Sequence, residues 1–372
     1  MREYISVIVC ITLLYLSGCS VTRQDSNKTF NKGKFEMIWN HGIRGLRGGV
    51  DQADFAGVTS TDKGWIFQGE YYVNGSNKLA NILINPKTGE YKQYDDLVLG
   101  IANGDDIIGY NNISGISSLK CVSTDTLKTK WDSGYASGIS GFSIFQIGDS
   151  IIEHNKTGAT FKSYRALDGV VLWERNSLYP YDVFPIRFGN TLYFISSRPD
   201  EKAVVEIDEK SDGTVEKTID CDLVIGNVFN QGDKIFANVV DSTGFVEIIF
   251  KDSDIDIQEI STDYWIVDSF TSGLLLGKSG VKDGSVSFAI FIDDNIIPIS
   301  GGFVDINIVN IDVIARVDNG FQSLNPQTLE PIWWIDLENE ELGENPRVIW
   351  CDWRGVLVMS DTKLACFVAS EN

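Results

Sequence analysis

Apolar residues in this chain fall in short runs rather than in helical stripes. One signal recurs: a turn residue, usually Gly with Asp or Asn beside it, followed by a β-prone apolar run. It stands at Gly64, Gly104, Gly148, Gly189, Gly232, Gly273, Ile311 and Gly355, at steps of 38 to 44 residues. A second signal lies downstream of most of these marks. It is an apolar strand, a turn opened by Asp or Asn, and a strand that often ends in an aromatic residue. The clearest copies are Leu83–Tyr91, Val122–Trp131, Ala166–Trp173 and Leu324–Trp333. Each reads as a hairpin in which Gly often supplies a positive φ before β-branched or aromatic residues resume. Past the N-terminal segment, no stretch of 12 or more residues keeps a helical period.

Four short strands in about 41 residues is the unit of a β-propeller blade. The chain is therefore expected to be all-β, an eight-bladed β-propeller over residues 35–372, with seven blades as the alternative. Phe35–Trp39 reads as the aromatic-ending last strand of a blade, and Ile349–Val368 supplies the earlier strands of one. The first would complete the second, which protects a sheet edge that could otherwise recruit another chain. The hairpins resemble the repeats of pyrroloquinoline-quinone-type propellers, best at Leu167-Asp168-Gly169 with Trp173 and at Thr88-Gly89. Segments near Asp212-Gly213, Asp252–Gln258 and Asp293–Pro298 match that pattern poorly.

The first residues read as an address. Arg2 precedes an apolar run, Ile5–Leu16, that is shorter than the roughly 20 residues a bilayer span needs. Leu16-Ser17-Gly18-Cys19 then resembles the lipobox of bacterial lipoproteins. That resemblance implies cleavage after residue 18, lipidation of Cys19 and, because residue 20 is Ser, sorting to the outer membrane with the body facing the periplasm. Several acyl chains give stable anchoring where one does not. Residues 1–18 are thus expected to be signal, 19–34 the lipidated Cys and a polar tether, and 35–372 the propeller.

Charge narrows the partner. With 31 Lys+Arg against 52 Asp+Glu, the net charge is −21. Nucleic acid is excluded as the main partner, since phosphate binding needs clustered cations. Two His residues leave little room for imidazole catalysis or His-rich metal sites. His154 is expected on the surface at a strand end. His41 opens a Gly-rich basic segment that reads either as the connector into the first blade or as a contact loop, with Arg44 and Arg47 reaching an acidic group on a partner. The acidic clusters Asp252–Asp256, Asp293-Asp294 and Glu338–Glu344 lack calcium-loop spacing and read as solvated turns, or as a face that steers a basic partner. Cys121, Cys221, Cys351 and Cys366 are expected to be mostly buried free thiols.

Quinone enzymes of the resembled class use an adjacent Cys-Cys pair, and none is present. No catalytic, metal or cofactor site is expected. Signal, tether and repeats together look like the propeller lipoprotein of the outer-membrane barrel-assembly machinery. The resemblance implies a non-enzymatic, monomeric scaffold that binds another envelope protein. The alternative is an immunity lipoprotein that captures a basic secreted toxin acting in the envelope, a role the charge would suit.

Overall fold

The computed structural model describes Gly33–Gly42 and, apart from short internal stretches, Phe55–Ser370. Every regular element among these residues is a strand, and none is a helix able to cross a membrane. The signal, Cys19, the tether up to residue 32, Arg44 and Arg47 lie outside the described residues.

Consecutive strands pair antiparallel in quartets. The first six quartets form separate sheets at 55–94, 99–132, 142–176, 183–220, 225–260 and 265–298. In the second, the outer strand is broken into Thr129–Asp132 and Ala136–Ser137, both paired to Ile116–Ser123. The seventh sheet has eight strands. A quartet at 305–336 ends in Pro331–Asp336, and beside it lies the N-terminal strand Gly33–Gly42. Lys363–Ala369, Gly355–Met359 and Arg347–Asp352 then follow in that order. The N-terminal strand therefore completes the C-terminal quartet, as expected. It also pairs in parallel with Pro331–Asp336, with Phe35 opposite Ile335.

The chain divides into two compact units, one mostly Ile38–Pro180 and the other mostly Tyr181–Met359. Within each unit, neighbouring quartets approach through their first strands. Phe55–Thr61 meets Leu99–Asn103 in one unit; in the other, Ile225–Gln231, Trp265–Phe270, Asp305–Val309 and Arg347–Asp352 meet in sequence.

Burial follows strand position. Middle strands have neighbours on both sides and on both faces, so they are buried along their whole length: all six residues of Ala203–Asp208 are buried, Glu206 and Asp208 included. The outer strand Asp254–Ile260 alternates exposed Asp254 and Asp256 with half-buried Ile255 and Ile257. Apolar layers fill the spaces between quartets. Tyr193, Val205, Ile235 and Ile248 form one such layer, and Leu275, Ile290, Val313 and Leu324 another. Each fully buried side chain of this size contributes about 1.5–3 kcal/mol.

Position also explains one correction. His154 is not on the surface but fully buried. It lies in a middle strand, Ser150–Asn155, and its ring stacks on Phe161 at 4.5 Å. The segments with poor repeat motifs still form quartets, because the apolar pattern suffices and other turn chemistry replaces the missing Gly. Asp293 and Asp294 both take positive φ (49° and 60°) in the two-residue turn that joins Val286–Ile292 to Asn295–Pro298.

Candidate functional site

Antiparallel order puts two turns of every quartet at the same end: the one joining its first and second strands and the one joining its third and fourth. Four of the third-to-fourth turns share a six-residue construction. The N–H of Asn85 donates to the carbonyl of Glu90 at 2.8 Å, Arg165 to Val170 at 2.8 Å, Asn325 to Glu330 at 2.9 Å and Ser123 to Lys128 at 3.0 Å. The fifth residue is left-handed in the three where it is described: Gly89 (φ 72°), Gly169 (70°) and Leu329 (59°).

In two of these turns the fifth residue also receives a tryptophan from another strand. Trp131 donates its indole N–H to the Ala166 carbonyl at 2.9 Å, and a Cβ built on Gly169 would lie 2.6 Å from the indole ring. Trp39 of the N-terminal strand donates to Pro86 O at 2.8 Å, and a Cβ on Gly89 would lie 2.9 Å from its ring. The donor is received three residues before the Gly in both cases. His41 belongs to this contact. Its Nε2–H donates to Gly89 O at 2.8 Å, and its ring packs between Trp39 and Tyr91. His41 thus packs onto the third-to-fourth turn of the first quartet.

Acidic side chains stand at several of these turns. Asp293, Asp294, Asp254 and Asp256 are exposed, and several carboxylates are held by cations of a neighbouring strand or quartet. Lys234 lies 3.4 Å from Glu247 and 3.6 Å from Asp294, Lys217 lies 3.3 Å from Asp254, and Lys251 pairs with Asp256. Exposed pairs of this kind contribute about 0–1 kcal/mol each. The cluster Glu338–Glu344 is exposed at Glu338, Glu341 and Glu344, around a buried Leu342. Among the described residues, Asp208, Asp212 and Glu216 form one group with ligand oxygens within 4.8 Å of one another. Asp208 is buried and already accepts the N–H groups of Gly213 (2.7 Å) and Asp212 (3.1 Å). Burial pushes its carboxyl above the usual range against those two hydrogen bonds.

Buried polar groups serve packing. Glu153 is buried and accepts the phenol O–H of Tyr110 at 2.7 Å and of Tyr164 at 2.8 Å. Both phenols are pushed up in pKa, first by burial and then by that carboxylate. Asp312 faces the Cys351 thiol at 3.2 Å and Ser323 Oγ at 3.4 Å, and burial raises its carboxyl to about 6. All four described cysteines are buried and free, which matches the expectation. Burial lifts the thiols of Cys121, to about 12, and of Cys351, so neither is a ready nucleophile.

One surface feature was missed in the sequence. Leu167 is 79% exposed, and Val170, Val171 and Leu172 are 46–48% exposed. These residues gave one of the best matches to the repeat pattern, and that match hid them. Aligning the turns by their closing hydrogen bonds brings them out: Lys87, Glu90 and Lys92 stand where Leu167, Val170 and Leu172 stand.

No protein-family description matches the sequence, and neither does any curated protein. Solved structures do resemble it in shape. The WD40 domain of SCAP from fission yeast superposes with a TM-score of 0.56 at 7% identity, over 90% of this chain and 98% of that one. Apo AztD from Citrobacter koseri gives 0.51 at 11% identity, over 75% and 85%. BamB from Moraxella catarrhalis gives 0.48 at 12% identity, over 91% and 98%. At these identities the likeness to the WD40 domain concerns the fold alone. With the run of four-stranded sheets, it shows that this chain has a β-propeller fold.

Proposed function

We propose that the chain is a lipid-anchored, eight-bladed propeller of the bacterial envelope that binds other proteins and catalyses no reaction. Cys19 carries the lipid, and the polar stretch to residue 34 tethers the body to the periplasmic face of the outer membrane. The eight blades are the six separate quartets and the two halves of the eight-stranded sheet. The observation that carries protein binding is the exposed apolar run Leu167–Leu172, set on a turn and outer strand whose counterparts are mostly polar. An apolar patch of that kind on a soluble body marks a contact surface. Arg44 and Arg47, in the segment of sequence after Gly42, are the chain's candidate contact residues. The role is that of a scaffold for envelope proteins, in the manner of outer-membrane assembly.

The test is capture from detergent-solubilised membranes with the mature, tagged protein. Co-purification of outer-membrane assembly components is the expected result. Recovery of a secreted basic toxin in their place would overturn the scaffold role in favour of immunity. For the anchor, Cys19→Ser is expected to move the protein from the membrane to the soluble periplasmic fraction. Retention on the membrane would refute lipidation at that residue.

A further inference from the structure

The outer strand of the third quartet, Val171–Asn176, is the last in its sheet. Outer strands present unpaired backbone groups, and proteins blunt them with charge or proline. Other outer strands here follow that rule: Asp254–Ile260 carries Asp254, Asp256 and Glu259, and Asn295–Pro298 is short and ends in Pro298. Val171–Asn176 carries its charges, Glu174 and Arg175, only in its second half; it begins with exposed Val171 and Leu172, continuous with Leu167 and Val170 of the turn.

The molecule also contains an apolar outer strand that is covered. Pro331–Asp336 holds Trp333 and Trp334, and the N-terminal strand lies along it in parallel. Gly33 is opposite Trp333, Lys34 opposite Trp334 and Phe35 opposite Ile335. Phe35 is 3% exposed, and its ring lies 5.3 Å from that of Trp333. The two outer strands superimpose in register. Trp173 pairs with Ser163 as Trp333 pairs with Ser323, and each ladder has its irregularity one residue later, at Tyr164 and Leu324. A strand laid on Val171–Asn176 in the same way would put the position of Gly33 opposite Trp173 and that of Lys34 opposite Glu174. Glu174 is about half exposed and lies 3.1 Å from Lys162, so a second cation can share it. A net charge of −21 favours a basic partner further.

We propose that the outer edge of the third quartet accepts an added β-strand from a partner polypeptide. The strand runs parallel to Val171–Asn176, with apolar side chains over Val171 and Leu172, a small residue opposite Trp173 and a Lys or Arg opposite Glu174. Main-chain hydrogen bonds hold such a strand, and alternate side chains select it. This rests on the protein-binding reading above and supplies its surface and the chemistry of its partner.

The probe is the blocked peptide Thr-Val-Val-Gly-Lys-Phe-Thr, and the measurement is amide hydrogen exchange of the full mature protein. Saturating peptide is expected to slow exchange at least threefold across 171–176 and to leave 254–260 unchanged. Replacing the peptide's Lys by Glu is expected to weaken binding at least fivefold, and methylating alternate backbone nitrogens to abolish protection. Leu172→Lys, an exposed position, is expected to keep the parent's unfolding midpoint and lose the protection. Unchanged exchange at 171–176 in the parent, or equal slowing in Leu172→Lys, would overturn the proposal. Slowing that depends on protein concentration without peptide would overturn it too, because the edge would then serve a second copy of this chain. If the peptide fails while membrane capture still yields a protein partner, the edge is wrong and protein binding stands.

Discussion

The third and seventh quartets build the same six-residue turn and fill it in opposite ways. At the third, Gly169 leaves a hollow and Trp131 from the second quartet occupies it, with its indole N–H on Ala166 O. At the seventh, Leu329 takes the left-handed position itself and packs its side chain against the layer that contains Leu324 and Ile292. The outer strand before that quartet, Asn295–Pro298, holds no tryptophan. Volume that a neighbour does not supply is supplied by the turn, at the cost of a strained φ. The two regions treat buried carboxylates differently as well. Glu153 has two phenol donors at 2.7–2.8 Å, whereas Asp312 has a thiol at 3.2 Å and a hydroxyl at 3.4 Å. The thiol is a weak donor and also faces Val309 O at 3.1 Å, and burial leaves the Asp312 carboxyl raised.

The largest effect is expected from emptying the hollow. Trp131→Ala removes a nearly buried indole and is predicted to cost about 3–5 kcal/mol in urea unfolding. A cost under 1 kcal/mol would mean that the indole does not lock the two quartets together. Filling the hollow from the other side comes next. Gly169→Ala combines a positive φ with a Cβ 2.6 Å from Trp131 and should cost about 2–4 kcal/mol. The double variant Trp131→Ala with Gly169→Ala should cost less than the sum, since the clash vanishes with the ring.

The carboxylates give a smaller effect of opposite sign. Asp312 titrates near 6 when folded and near 3.8 when unfolded, so between those values the folded state holds the extra proton. Its stabilising contribution is present below about pH 4 and is lost as pH rises through 6. Asp312→Asn should therefore stabilise the protein by about 1–2 kcal/mol at pH 7 and by much less at pH 4. Equal effects at both pH values would show that the group is not penalised by burial. The smallest effect is expected at Leu329→Gly, where relief of the left-handed strain offsets lost packing to within about 1 kcal/mol. A loss as large as that of Trp131→Ala would erase the contrast between the two turns.

Much of this was legible in the sequence for a physical reason. A quartet needs only short apolar runs and turn residues at fixed spacing, and both are visible letter by letter. The strand that completes the last quartet was legible from its aromatic ending. Burial of His154 was not, because a middle strand is recognised by what lies on either side of it in space. The edge at Leu167–Leu172 was hidden by its good match to a repeat pattern, which marks turn geometry and says nothing about which side chains face water. The hollow over Gly169 was half legible: Gly and Trp both stand out, but their meeting spans 38 residues and two sheets.

The N-terminal strand has a consequence for the order of events during synthesis. Phe35 is among the first propeller residues made, and its pairing partner Ile335 comes 300 positions later. The strand can take its native place only once that partner is available, after the intervening quartets. Contacts this distant in sequence make folding slow and leave apolar edges open meanwhile. The same end of the chain that arrives first is thus the last to be sewn in, and its apolar face stays open until the strands around it are in place.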